Sequence, residues 1–105
     1  MPIFLLISRH SPENCDMFNE KARKVTLELM GKMEELLKKH GVKMLGGWIV
    51  TTEHLAVYAF EAPSFEAFQK LGNEPEVLAL SAFETYEIKP AISFEEAVQM
   101  IQQAT

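Results

Sequence analysis

At 105 residues the chain is sized for one domain spanning 1–105, and 48% of it is apolar. A formal net charge of -5 with no long basic run excludes the phosphate-neutralising surface that nucleic-acid binding needs. A single cysteine excludes an intrachain disulfide, and the apolar run Ile3–Ile7 is too short to span a membrane and has neither a basic lead-in nor a cleavage signal, so a cytoplasmic location is expected.

Ile3 to His10 is apolar and rich in β-formers, and reads as a first strand. Ser11, Pro12 and Glu13 then carry a helix-start signature, and Phe18, Ala22, Val25, Leu29, Met33, Leu36 and Leu37 continue at helical spacing. Lys38, Lys39 and His40 suit the negative end of that helix, and Gly41 suits a left-handed stop. Val42–Thr51 and His54–Glu61 read as a hairpin of two strands. Gly46-Gly47 inside the first of them predicts a bulge or a close backbone approach.

Pro63 and Ser64 open a second helix, which Gly72-Asn73-Glu74-Pro75 breaks before a short helical turn. Ala82–Lys89 reads as a fourth strand. Ser93 and Glu96 form a capping-box pair for a terminal helix carrying Phe94, Ala97, Val98 and Ile101. The order predicts an α+β ferredoxin-like βαββαβ domain with a four-stranded antiparallel sheet plus a C-terminal helix, strand one lying beside strand three.

Alternation divides each strand into two faces. Ile3, Leu5, Ile7, Leu55, Val57 and Ala59 form an aliphatic set, expected to meet the helices. Phe4, Leu6, Ser8, His10, Trp48, His54, Tyr58, Phe60, Thr85 and Glu87 form an aromatic and polar set, expected to line a cavity or to meet a second copy of the sheet. So much apolar surface in a two-layer domain favours a homodimer or a dimer-based oligomer.

The candidate chemistry gathers at one end of that second face. The topology makes His10 and His54 neighbours, and with Cys15 or Glu87 they would suit a transition metal such as zinc, copper or iron. Equally, His10 or His54 could act as a base, with Tyr58 or Thr85 orienting a small substrate beside Trp48, Phe60 and Glu87. Ordinary hydrogen-bonded strand-end histidines explain the same residues. Cys15 is either a nucleophile activated by His10 and a helix N-terminus or a small buried side chain. Met30 and Met33 read as core filling.

Three stretches carry a family resemblance: Gly41-Val42-Lys43-Met44-Leu45-Gly46-Gly47-Trp48, Phe60-Glu61-Ala62-Pro63-Ser64-Phe65-Glu66-Ala67-Phe68, and Glu87-Ile88-Lys89-Pro90. With the order of elements, they resemble a group of small uncharacterised proteins in the dimeric α/β-barrel superfamily. That resemblance implies a homodimer with sheets packed face to face and a pocket in the lumen or between sheet and helices. The superfamily includes monooxygenases without a metal cofactor, muconolactone isomerase-like enzymes, haem-handling enzymes and ligand-binding regulators; fold alone does not choose among them. The functions compatible with the sequence are an isomerase or oxygenase acting on an organic acid or aromatic, a non-catalytic protein binding or sensing a small ligand or metal, and a structural dimer with a filled lumen.

Overall fold

The computed structural model describes residues 1–104. Strand β1 (Ile3–Arg9) leads through a single 3-10 turn at Pro12–Asn14 into helix α1 (Glu20–His40). Strands β2 (Lys43–Val50) and β3 (Leu55–Glu61) form the hairpin, joined by a 3-10 turn at Thr51–Glu53. Helices α2 (Phe65–Gly72) and α3 (Pro75–Leu80), strand β4 (Thr85–Ala91) and helix α4 (Phe94–Gln103) follow. The sheet is four-stranded and antiparallel in the order β2-β3-β1-β4, as the element order predicts.

The capping residues explain most of the helix limits. Gly41 ends α1 at φ 66, and its amide reaches back to the carbonyls of Leu37 and Lys38. Ser64 and Ser93 accept hydrogen bonds from the amides of Ala67 and Glu96, at 3.1 and 3.0 Å. The start of α1 differs from the sequence expectation. Ser11 makes no side-chain cap; the helix begins only at Glu20, where Asn19 accepts from the amide of Ala22 at 3.0 Å. The intervening segment turns inward to bury Cys15 and leaves Phe18 80% exposed outside the helix. Strand β4 starts at Thr85, three residues later than expected, and runs through Pro90 to Ala91, two pairs past the expected end. An edge strand tolerates this, because its outer side has no ladder to donate to.

The helices cover the opposite sheet face from the one expected. Phe4 and Phe60 are buried and meet α2, with ring centroids 5.3 and 5.2 Å from Phe68. Leu29 and Leu36 of α1, Val42, Ala62, Phe68 and Leu71 complete that core. The aromatic face therefore packs under α1, α2 and α3. Rings fill the gap between sheet and helices better than short aliphatic chains do, and α2 supplies its own phenylalanines for them to stack on. The aliphatic residues Ile3, Leu5, Ile7, Val57 and Ala59 are only half-buried on the other face, outside the core that the helices form among the described residues. Helix α4 leaves Phe94, Met100 and Ile101 exposed.

Gly46-Gly47 does mark a bulge. The β2–β3 register shifts between Met44 and Gly46, so Leu45 is the extra residue. Both glycines sit against a ring: a Cβ on Gly46 would lie 2.8 Å from the Trp48 indole, and one on Gly47 would lie 2.8 Å from the Tyr58 ring.

Candidate functional site

Between the sheet and the helices lies a cavity of about 590 Å³. Leu6, Tyr58, Phe60, Tyr86 and Ile88 form its floor from β1, β3 and β4. Leu29, Met30 and Met33 of α1, Phe68 and Leu71 of α2, and Val77, Leu78 and Leu80 of α3 form its walls. The helix period places these residues on the inward faces, and Met33 packs against the core as the sequence suggests. Met30, however, is 66% exposed and borders the cavity instead of filling the core.

The polar side chains of the cavity include Ser8, Thr26, Tyr58, Glu84 and Tyr86. Register pairs Ser8 with Tyr86 and Leu6 with Tyr58, so Ser8, Tyr86 and Tyr58 rise from one end of the sheet, next to the loop that carries Glu84. Ser8 is 2% exposed and hydrogen-bonds the Glu84 carboxyl. Burial, reinforced by the negative charge of Asp16, holds the Glu84 carboxyl above its ordinary range, against the opposing effect of the Ser8 bond. Burial likewise raises both phenols, with further contributions from the Glu84 charge, so Tyr58 and Tyr86 are hydroxyl donors at neutral pH. The Thr26 hydroxyl oxygen is buried with no hydrogen-bond partner and belongs to the same cavity. An apolar chamber with a few convergent polar groups is the usual form of a small-molecule site.

Behind Glu84 stands a second group. His10 Nδ1 lies 3.8 Å from Glu84 Oε1. The β1–β3 ladder continues one step past Arg9 and Leu55, the His10 amide donating to the His54 carbonyl at 3.2 Å. The two imidazoles meet edge to face with centroids 5.2 Å apart. The buried Cys15 thiol joins them, and one ligand atom from each of His10, Cys15 and His54 lies within 4.8 Å of the others. His54 holds φ 51, a left-handed conformation in which few non-glycine residues sit.

The site residues expected from sequence thus separate into three places. Tyr58 and Phe60 line the cavity. His10, Cys15 and His54 come together beside it, behind Glu84, and are not among the residues that line it. Trp48, Thr85 and Glu87 fall on the uncovered sheet face and join neither group. The bulge at Leu45 reverses the parity of Trp48, which pairs with Val57 and is 61% exposed. Thr85 and Glu87 pair with Arg9 and Ile7, and Glu87 makes ion pairs with Arg9 at 3.6 Å and Lys89 at 3.8 Å. Glu87 is therefore no partner for the histidines, and Cys15 is the third member of the cluster. Ser8 belongs to the set expected to line a cavity, but Glu84 and Tyr86 are not among the candidates that the sequence offers. An acid next to Phe83 and two residues before Tyr86, within the stretch read as the fourth strand, was the available signal for Glu84.

No protein-family model and no curated protein matches the sequence. Solved structures do match in shape. A protein described as an antibiotic biosynthesis monooxygenase superposes with a TM-score of 0.61 over 89% of this chain and 98% of its own, at 14% identity. The chain thus has a ferredoxin-like α+β fold, a four-stranded antiparallel sheet with helices on one side. Two more structures share that fold. Protein Atu4242 from Agrobacterium tumefaciens gives a TM-score of 0.56 at 16% identity, covering 88% of this chain and 92% of its own. An uncharacterised NIPSNAP domain protein from Burkholderia xenovorans gives 0.53 at 10% identity, covering 90% and 97%. No helix among the described residues is long and apolar enough to cross a membrane.

Proposed function

We propose that the chain is a homodimeric enzyme that binds a small, mostly apolar organic molecule in the cavity between sheet and helices and moves a proton on it. One observation carries this reading: a chamber of about 590 Å³ whose walls are apolar and whose ionisable side chains, Tyr58, Glu84 and Tyr86, converge at one end. The apolar part would hold the body of the substrate. The Tyr58 and Tyr86 hydroxyls would donate to a carbonyl, enol or phenol oxygen. The Glu84 carboxylate, made more basic by burial, would take the proton from the adjacent carbon or oxygen. Proton abstraction next to a carbonyl or on a phenol begins an isomerisation, and it also begins the reaction of an electron-rich carbanion with dioxygen. The neighbour described as a monooxygenase favours the second outcome.

The dimer belongs to the same reading. The uncovered sheet face carries Ile3, Leu5, Ile7, Val57, Ala59 and the largely exposed Trp48, an apolar area bordered on β4 by the charged Glu87 and Lys89 and in want of a partner. The exposed apolar side of α4 lies outside the protomer's own core. A second copy packed sheet to sheet would cover the face, and α4 would reach across it. The middle of that face, Ile7, Val57 and Trp48, is apolar and offers no convergent polar groups, whereas the chamber under the helices does, so the ligand site is assigned to the chamber.

A panel of phenols, naphthols and enolisable ketones tests the function. Members that fit should raise the melting temperature, and the same members should show Glu84-dependent exchange of a carbon-bound proton with deuterated solvent or consume dioxygen. A binder that Glu84→Gln retains, with no exchange and no oxygen uptake in the parent protein, would establish a non-catalytic carrier or sensor instead. No binder in the panel, with the Thr26→Val variant more stable than the parent, would point to a purely structural dimer.

A further inference from the structure

We propose that His10, Cys15 and His54 form a binding site for a borderline-soft divalent cation of the zinc(II) class. The site is distinct from the organic-ligand chamber: it shares only Glu84 with it, and the failure of either reading leaves the other standing.

The donor set is the first argument. Two imidazoles and a thiolate are ligands that zinc takes in preference to calcium or magnesium, which require oxygen donors. The second argument is geometric. The ligand atoms of His10, Cys15 and His54 lie within 4.8 Å of one another. Bond lengths of about 2.0–2.3 Å around a tetrahedral zinc place such atoms about 3.5 Å apart. The cluster must therefore contract by roughly an ångström, which χ rotations of three side chains can supply without moving the backbone.

That backbone is fixed at all three positions. His10 and His54 are joined by the 3.2 Å ladder bond, and Cys15 follows the 3-10 turn, its carbonyl accepting from the amides of Phe18 and Asn19 at 2.9 and 2.7 Å. The positive φ of His54 is part of this placement, since a residue in the extended conformation would carry its side chain elsewhere.

The third argument is an unpartnered atom. His10 Nε2 is buried and makes no hydrogen bond. A buried ring nitrogen without a partner is costly, and a metal bond would satisfy it. Its other nitrogen, Nδ1, faces Glu84. A metal-bound imidazole commonly presents its second nitrogen to a carboxylate, which fixes the tautomer and orients the ring. Glu84 is thus placed as a positioning residue for His10. His10 also borders a solvent-open depression with Ser11, Asn14 and Glu84, which gives the ion a route in and leaves the remaining coordination position to water or a small ligand.

Cobalt(II) is the probe, because its visible spectrum reports both coordination number and thiolate bonding. The reduced full chain, freed of metal by dialysis against a chelator, is titrated with cobalt(II) and then with zinc(II). The expected result is saturation at one ion per chain, with a thiolate-to-cobalt charge-transfer band and low-symmetry visible bands that zinc abolishes. Cys15→Ser should lose the charge-transfer band, and Cys15→Ser and His54→Gln should each weaken zinc binding by at least about tenfold. Glu87→Gln, on the uncovered face, should leave both unchanged. Circular dichroism checks that the variants fold. If Cys15→Ser does not, the spectrum of the parent protein decides: a missing charge-transfer band overturns the site. Absence of saturable uptake, or uptake that Cys15→Ser and His54→Gln both retain, overturns it as well.

Discussion

His10 and Glu84 face each other at 3.8 Å across the junction between two different environments, with side chains 16% and 15% exposed. Glu84 looks one way into an apolar chamber and the other way onto a histidine whose far nitrogen is buried and unsatisfied. The pairing ties the residue best placed to act on an organic substrate to the residue best placed to hold a cation. It also means that burial of the carboxyl works against stability wherever it is charged.

The Glu84→Gln substitution should expose that conflict. Burial raises the carboxyl above its ordinary value, so the folded state disfavours its charged form. For a raised carboxyl the sign is clear: folding loses stability as the pH rises through the ordinary carboxylate range, and the loss persists at neutral pH. Glutamine has no charge to desolvate. The variant should melt at a higher temperature than the parent at pH 7 and at an equal or lower one at pH 4, while losing proton transfer to any substrate of the chamber. Thermal melts at the two pH values check this. A variant less stable at pH 7 would mean that the His10 and Ser8 contacts outweigh desolvation.

Phe68→Ala should cost about 3–5 kcal/mol of unfolding free energy. Phe68 is buried between Phe4 and Phe60, stacked on the first at 14° between ring planes and tilted against the second. Its removal takes the tie between α2 and the sheet and opens the α2 wall of the chamber, so ligand affinity should fall along with stability. Urea denaturation measures the first effect. A loss below about 1 kcal/mol would show that the helix layer collapses into the space, contrary to the close packing expected of a core.

The strand order, the hairpin, the glycine stop of α1 and the breaker between α2 and α3 were legible because each rests on local chemistry: alternation, capping, proline and glycine. The sheet faces were not. Leu6, Ser8, Tyr58 and Phe60 do line the cavity, while Phe4 of the same row is core; periodicity does not say which side the helices take. One inserted residue at Leu45 then carried Trp48 to the other face, a reversal that a strict period of two cannot reveal even when the glycine pair beside it flags a bulge. The meeting of His10 with His54 followed from topology, and Cys15 reached them because its segment turns inward instead of entering the helix at Ser11. Glu84 escaped notice because its significance comes from contacts to Ser8 and His10, more than seventy positions earlier in the chain.

The acid limb of the stability curve should carry the mark of Glu74. This carboxylate accepts hydrogen bonds from Lys39 Nζ at 3.1 Å and lies 3.7 Å from His40 Nε2, tying the end of α1 to the start of α3. The Lys39 bond is the main cause holding its carboxyl below the ordinary value of 4.5, partly offset by burial. A lowered carboxyl stabilises the fold above its ordinary value, and the contribution disappears as the pH falls through the lower, folded-state value. Glu74→Gln should therefore reduce the melting temperature at pH 6 and leave it unchanged at pH 2, flattening the acid dependence. An equal loss at both values would assign the effect to packing at the α3 start and not to the charge.

Val57→Glu should convert the proposed dimer into monomers. Val57 sits in β3, an inner strand of the sheet, and on the uncovered face it is flanked by Ile7 of β1 and Trp48 of β2. In an isolated protomer a glutamate there would point into water at little cost, because the face is only half-buried and the side chain does not enter the core under the helices. In a sheet-to-sheet dimer it would strand a charge in a dry apolar interface, a loss of several kcal/mol for each copy. Light scattering on a sizing column should show the parent at twice the protomer mass and the variant at the protomer mass with an unchanged circular dichroism spectrum. The Trp48 emission should shift to longer wavelength as the indole is returned to water. A parent protein that elutes as a monomer would refute the dimer. A variant that remains dimeric would move the interface to another surface, with the exposed Phe94 and Ile101 side of α4 the next to be probed.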